Sequence, residues 1–169
     1  CSAYDARYYA FFAWASQRWR MVIAIAGNHE YYCEPGEIHT MDETDDHIRS
    51  LLHSLPNVHY LQNAESIRIP GTTVRVVGAT LWSYIPPSIW NDVADKKGDY
   101  KVIYTKAAQQ QIRPFTPADQ SALHALHVAN LYSALAPRFA GEKLIVVTHH
   151  MPSFSLLEPK YVNHPWRFC

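Results

Sequence analysis

A chain of 169 residues with 48% apolar content is one domain's worth of sequence, long enough to bury a substantial core. Its 15 Lys and Arg balance 15 Asp and Glu, which argues against a nucleic-acid-binding surface and against a cationic face drawn to anionic membranes. No stretch approaches the roughly 18 apolar residues of a membrane span. The opening Cys1-Ser2-Ala3-Tyr4-Asp5-Ala6-Arg7 also lacks the basic-then-apolar order of a signal peptide.

Asp5 to Arg20 predicts a helix, with Tyr8, Phe11, Phe12, Ala15 and Trp19 at helical spacing as an aromatic stripe expected to pack on a sheet. Val22 to Ala26 is a short uncharged apolar run, which predicts a strand buried on both faces. Gly27-Asn28-His29-Glu30 follows at its carboxyl end. Met41-Asp42-Glu43-Thr44 opens a second helix expected to reach Ser54, and Leu55-Pro56-Asn57 ends it. Short strands are expected near Val58 to Leu61, Ser66 to Ile69 and Val74 to Ala79, with Pro70-Gly71 turning between the last two. The Val74 strand is rich in branched residues and is expected to be central.

Tyr84 to Pro117 has weak periodicity, the kind of long segment that often covers a functional site. Trp82, Tyr84, Trp90, Tyr104 and Arg113 are candidate substrate contacts there, with surface packing as the competing reading. Thr116-Pro117-Ala118-Asp119 predicts a helix start, with a threonine cap and proline at the first helical position. That helix is expected to reach Phe139 and return the chain to a second buried strand, Leu144 to Thr148, which runs into His149-His150-Met151-Pro152. The helix-strand order predicts an α/β domain over residues 1–169 without internal repeats. Cys1, Cys33 and Cys169 form no CxxC pair, which fits a reducing cytoplasm.

Two apolar strands that each end in polar, imidazole-bearing residues could bring those residues to one edge of one sheet, where α/β proteins bind ligands. His and Asn together suit a divalent ion such as Mn, Fe or Zn, whereas a structural zinc site would favour closely spaced thiolates. A plain turn at Gly27 and an ordinary loop at His149-His150 remain open alternatives. His39, His47, His53, His59, His124, His127 and His164 read as surface or half-buried positions, and the Ala-rich setting of His124 and His127 reads as packing.

These residues resemble the calcineurin-like metallophosphoesterases. That family's pattern runs Asp-x-His, Gly-Asp, Gly-Asn-His-Glu/Asp, a strand ending in His, and Gly-His-x-His. Gly27-Asn28-His29-Glu30 matches the third element and Thr148-His149-His150 the fourth, roughly 120 residues later. Gly78-Ala79-Thr80-Leu81-Trp82-Ser83 also looks like a segment of bacterial and protist members. The resemblance implies a metallophosphoesterase-type β-sandwich flanked by helices and hydrolysis of phosphate mono- or diesters. In such enzymes two divalent metal ions of Mn, Fe or Zn type activate a hydroxide for in-line attack. Asn28 and His149 would be metal ligands and His29 the catalytic group beside them. Glu30 and His150 would stand behind the ligands or touch the phosphorylated substrate.

The sequence also departs from that pattern. No Asp-x-His precedes Gly27, Gly98-Asp99 falls too late to be the family's Gly-Asp pair, and no Gly-His-x-His follows His149. The expectation is therefore a partial domain, incomplete at both ends. A non-catalytic scaffold of the same fold, acting by binding a partner, is the alternative. Substrate identity and oligomeric state are not legible in the sequence.

Overall fold

The computed structural model describes residues 2–136 and 138–164 of the chain. It is a mixed α/β fold of helices and small sheets. Helix α1, Ala6–Ser16, begins where the Asp5 carboxylate accepts the Arg7 N–H at 2.9 Å. Strand β1 is Val22–Ala24 and pairs in parallel with β2, Val58–Tyr60, the next strand after helix α2, Met41–Leu52. Thr40 and Glu43 close a reciprocal cap at the start of α2, satisfying two backbone donors that the helix itself cannot.

Strands β3, Glu65–Arg68, and β4, Val74–Ala79, are antiparallel. The chain then passes through two short helices, α3 at Trp90–Lys96 and α4 at Asp99–Val102. It continues through the antiparallel pair β5, Tyr104–Lys106, and β6, Ile112–Pro114. The expected cap at Thr116 and Asp119 opens helix α5, Pro117–Leu135. That helix returns the chain to β7, Lys143–Thr148, parallel to β4 with Val76 opposite Ile145. β4 is thus the middle strand of its sheet, as its branched residues predict. No helix among the described residues is long and apolar enough to cross a membrane.

The segments leaving β1 and β2 lie directly against β4. A Cβ on Gly78 would stand 2.7 Å from Leu61 Cβ and 2.8 Å from Ile25 Cγ2, so the glycine is what permits this approach. Thr80 then donates its hydroxyl to the Ala26 carbonyl at 2.7 Å, and the His150 N–H reaches the Thr80 carbonyl at 3.1 Å. The carboxyl ends of β1, β4 and β7 are brought together by these contacts.

Several expectations need correction: α1 ends at Ser16 rather than Arg20, α5 at Leu135 rather than Phe139, and Val22 and Ile23 of β1 are only half-buried. β7 reads as fully buried, yet Ile145 and Val146 are exposed. The strand has β4 on one side and no hydrogen-bonded strand on the other among the described residues. Composition reports apolar character, not position in a sheet. In α1, Tyr8, Phe12 and Ala15 are buried, but Phe11 and Trp19 are exposed. Tyr8, Phe12 and Ala15 at i, i+4 and i+7 share one helical face, with Phe11 at its flank, and Trp19 lies beyond the last helical residue, Ser16. Trp14 and Trp19 instead meet edge to face at 5.3 Å, with the Arg18 guanidinium 4.3 Å over Trp14.

His127 of α5 is 4% exposed, and its Nδ1 has no hydrogen-bond partner among the described residues. Burial, and secondarily the neighbouring His124, push its pKa down from 6.5 to about 4. The folded chain thus holds it neutral, and the unfolded chain gains a proton first as pH falls. Stability from this group should be intact above pH 6.5 and lost between there and about pH 4, by at most about 3 kcal/mol. Urea unfolding across that window should show a smaller acid loss for His127→Leu than for the wild type. Equal losses would contradict the assignment.

Candidate functional site

Gly27 ends the β1 segment, and the chain turns at once into a single 3-10 turn, His29–Tyr31. The Glu30 carboxylate accepts the Gly27 N–H at 2.7 Å, closing the loop on itself. Asn28 is thereby presented at the convergence of the strand ends. From the other side β7 delivers His149, whose ring lies flat against Gly27. A Cβ there would meet His149 Cε1, Nδ1 and Nε2 at 2.6, 2.7 and 2.9 Å. The outcome is that Asn28 Oδ1 and His149 Nε2, 121 positions apart in sequence, stand 3.0 Å from each other.

Asp99, at the start of α4, completes the arrangement. Its Oδ1 accepts the Asn28 Nδ2–H at 2.8 Å and the Tyr32 hydroxyl beside it. Its Oδ2 faces Lys97 Nζ at 3.3 Å. Burial pushes the Asp99 carboxyl up, but hydrogen bonds from Tyr32 and Asn28 and the charge of Lys97 outweigh it and hold the pKa below its ordinary value. An ionised carboxylate is an acceptor only. It therefore fixes the Asn28 amide with nitrogen toward Asp99 and oxygen toward His149; the flipped amide would set two acceptors against each other.

His150 turns away from this pair. Its Nδ1 lies 3.3 Å from the Thr80 carbonyl, its ring centroid 5.2 Å from that of Trp82 and 4.9 Å from that of His149. Burial first, then the adjacent His149, push its pKa down to about 4, so it is a neutral imidazole. His29 is exposed, with its ring 4.5 Å from that of Tyr32. The geometry thus brings Asn28 and His149 together, leaves Glu30 holding the loop, and puts His29 against Tyr32 and His150 against Trp82.

Other candidates separate cleanly. Trp82 is buried in the core, Trp90 Nε1 donates to the Ile85 carbonyl at 2.8 Å, and Arg113 is paired with Asp119 at 2.6 Å. These are packing and ion-pair roles. Tyr84 is exposed and lines a cleft with His149 and His150.

Asp99, Tyr32 and Lys97 are absent from the expected site. Tyr32 carried a weak signal, four positions after Asn28 on the same turn. Asp99 sits in the weakly periodic segment from Tyr84 to Pro117, and Gly98-Asp99 falls too late to be the family's Gly-Asp pair.

The donor set suits a divalent cation. The 3.0 Å between Asn28 Oδ1 and His149 Nε2 is a hydrogen-bond distance. It is also close to the roughly 3.0 Å between adjacent donors bonded at about 2.1 Å to one octahedral ion. Among the described residues no group of three or more His, Cys, Asp or Glu is placed to hold a metal; Asn28 Oδ1 and His149 Nε2 offer two donors. Substituting Asp99→Asn, which keeps shape but removes the acceptor-only carboxylate, should weaken Mn binding by about 10- to 100-fold. Calorimetric titration would measure it, and unchanged affinity would contradict the orienting role.

No protein-family model and no solved structure matches this chain. It is 26% identical over 160 residues to "Uncharacterized protein L509" of Acanthamoeba polyphaga mimivirus, across 90% of this chain and 55% of that protein. The chain spans about half the length of the curated relative it matches.

Proposed function

We propose that this chain carries part of a metal-dependent phosphoesterase centre that hydrolyses phosphate mono- or diesters. The observation that carries the reading is the convergence of Asn28 Oδ1 and His149 Nε2 at 3.0 Å, with the amide oriented by Asp99. Asn28 and His149 would hold one divalent ion, and such centres use two. When bound, the ions lower the pKa of water and draw charge from the phosphoryl oxygens. Asn28 and His149 position that chemistry at the strand ends. His29, solvent-facing and next to Asn28, protonates the leaving alkoxide, a task suited to an imidazole whose ordinary pKa lies near neutrality. Glu30 holds the loop that carries both, and the neutral His150 packs behind His149 on Trp82.

A second reading, a scaffold of this fold that binds a partner without catalysis, draws on the small number of ligating residues brought together here. The two readings differ in a direct assay. In a longer protein that completes the centre, hydrolysis of an aryl phosphate with Mn added should be measurable, and Asn28→Ala should lower it by orders of magnitude. Absence of turnover in the wild type, or an Asn28→Ala rate equal to the wild type, would favour the scaffold or refute the ligand assignment.

A further inference from the structure

Clefts on the described surface differ in the charge of their walls. One is lined by Arg49, Glu65 and Arg138 among others, and a second by Asp42, Asp45 and Asp119. A third has a volume of about 560 Å³ and contains no Asp, Glu, Lys or Arg in its lining. That volume lies within the ordinary range of small-molecule sites, roughly 300–1,000 Å³. One wall of it is His149 and His150, so the cleft begins where the candidate metal donors end. The rest is mainly aromatic and apolar: Tyr84, Met151 and Phe154 stand exposed around it, above the buried Trp82.

We propose that this cleft is a subsite for an uncharged aromatic or apolar group, the alcohol part of the ester whose phosphoryl end meets Asn28 and His149. The assignment rests on the phosphoesterase reading above. A flat, largely apolar group gains from aromatic contact and loses no hydration of charge on entering. A nucleotide's further phosphates or an acidic phosphopeptide would meet no Lys or Arg in this lining to replace their water. The cleft does hold a few polar positions. His124 bonds the Trp82 carbonyl through Nδ1 at 2.6 Å, which leaves Nε2 as an acceptor for one donor on the bound group.

The test uses the 169-residue chain and two probes, 1-naphthol and 1-naphthyl phosphate. Equilibrium dialysis should show saturable binding of 1-naphthol, which carries no phosphate and needs no metal. Tyr84→Ala should weaken it by about three- to tenfold, and Met151→Glu should weaken 1-naphthyl phosphate more than 1-naphthol. Both side chains are exposed, so neither change strains the core. With Mn, in the longer protein that completes the centre, 1-naphthyl phosphate should be hydrolysed with kcat/KM about tenfold or more above that for glycerol phosphate. Failure of 1-naphthol to bind, or binding indifferent to Tyr84→Ala and Met151→Glu, overturns the cleft assignment even if both esters are hydrolysed. Retained 1-naphthol binding with no hydrolysis of either ester overturns the leaving-group role, and with it the phosphoesterase reading alone.

Discussion

Gly27→Ala should remove most of the proposed phosphoesterase activity while shifting the chain's unfolding midpoint little. No positive φ constrains Gly27, so alanine meets no backbone strain there; the objection is space. The added Cβ would stand within 2.9 Å of three atoms of the His149 ring. That ring ends an exposed side chain, and it can swing aside at low cost to the fold. Swinging aside takes Nε2 off the 3.0 Å approach to Asn28 Oδ1. Displacements of about 1 Å in a reacting constellation cost on the order of 100-fold in rate. Parallel measurement of kcat/KM and of urea unfolding would separate the two effects. Full activity in Gly27→Ala would mean that His149 does not act from the position described.

Gly78→Ala should do the reverse, damaging the fold first. The residue lies inside β4, opposite Glu65 on one neighbour and Val147 on the other. Its missing side chain is where Leu61 Cβ and Ile25 Cγ2 pack, at 2.7 and 2.8 Å from an added carbon. A Cβ atom cannot move without its backbone, and Leu61 is tied to Ala24 by its N–H at 2.8 Å. Overpacking at such a point costs about 1–3 kcal/mol, sometimes more, and the upper end is expected here. An unchanged urea midpoint would show that the segments leaving β1 and β2 do not rest on β4.

The contrast between these two glycines shows what could be read in the chain and what could not. The strands at Val22, Val74 and Leu144 were legible because apolar, branched runs report on themselves locally. The cap at Thr116 was legible for the same reason, since it is complete within four residues. Asn28 and His149 stood out because each follows such a strand directly. Their meeting was not local information, and the mixed α/β architecture alone does not establish the finer sandwich that the family resemblance implies.

Asp99 shows the limit most clearly. Its partner Asn28 lies 71 positions away, and its neighbours Asp92, Asp95, Lys96 and Lys97 make it look like one charge among many. Only the fold shows that its side chain is buried while those of Asp92 and Lys96 are half exposed. The exposure of β7 and of Phe11 failed to show for a related reason. Hydrophobicity says which residues gain from burial, while neighbours in space decide which of them obtain it.

The most direct measurement is calorimetric titration of Mn into the 169-residue chain and into its His149→Ala variant. The account predicts Mn binding to the wild type and loss of that binding in the variant, with the urea midpoint nearly unchanged because His149 is exposed. Equal Mn affinity in the two proteins would contradict the central claim that Asn28 and His149 share a divalent ion.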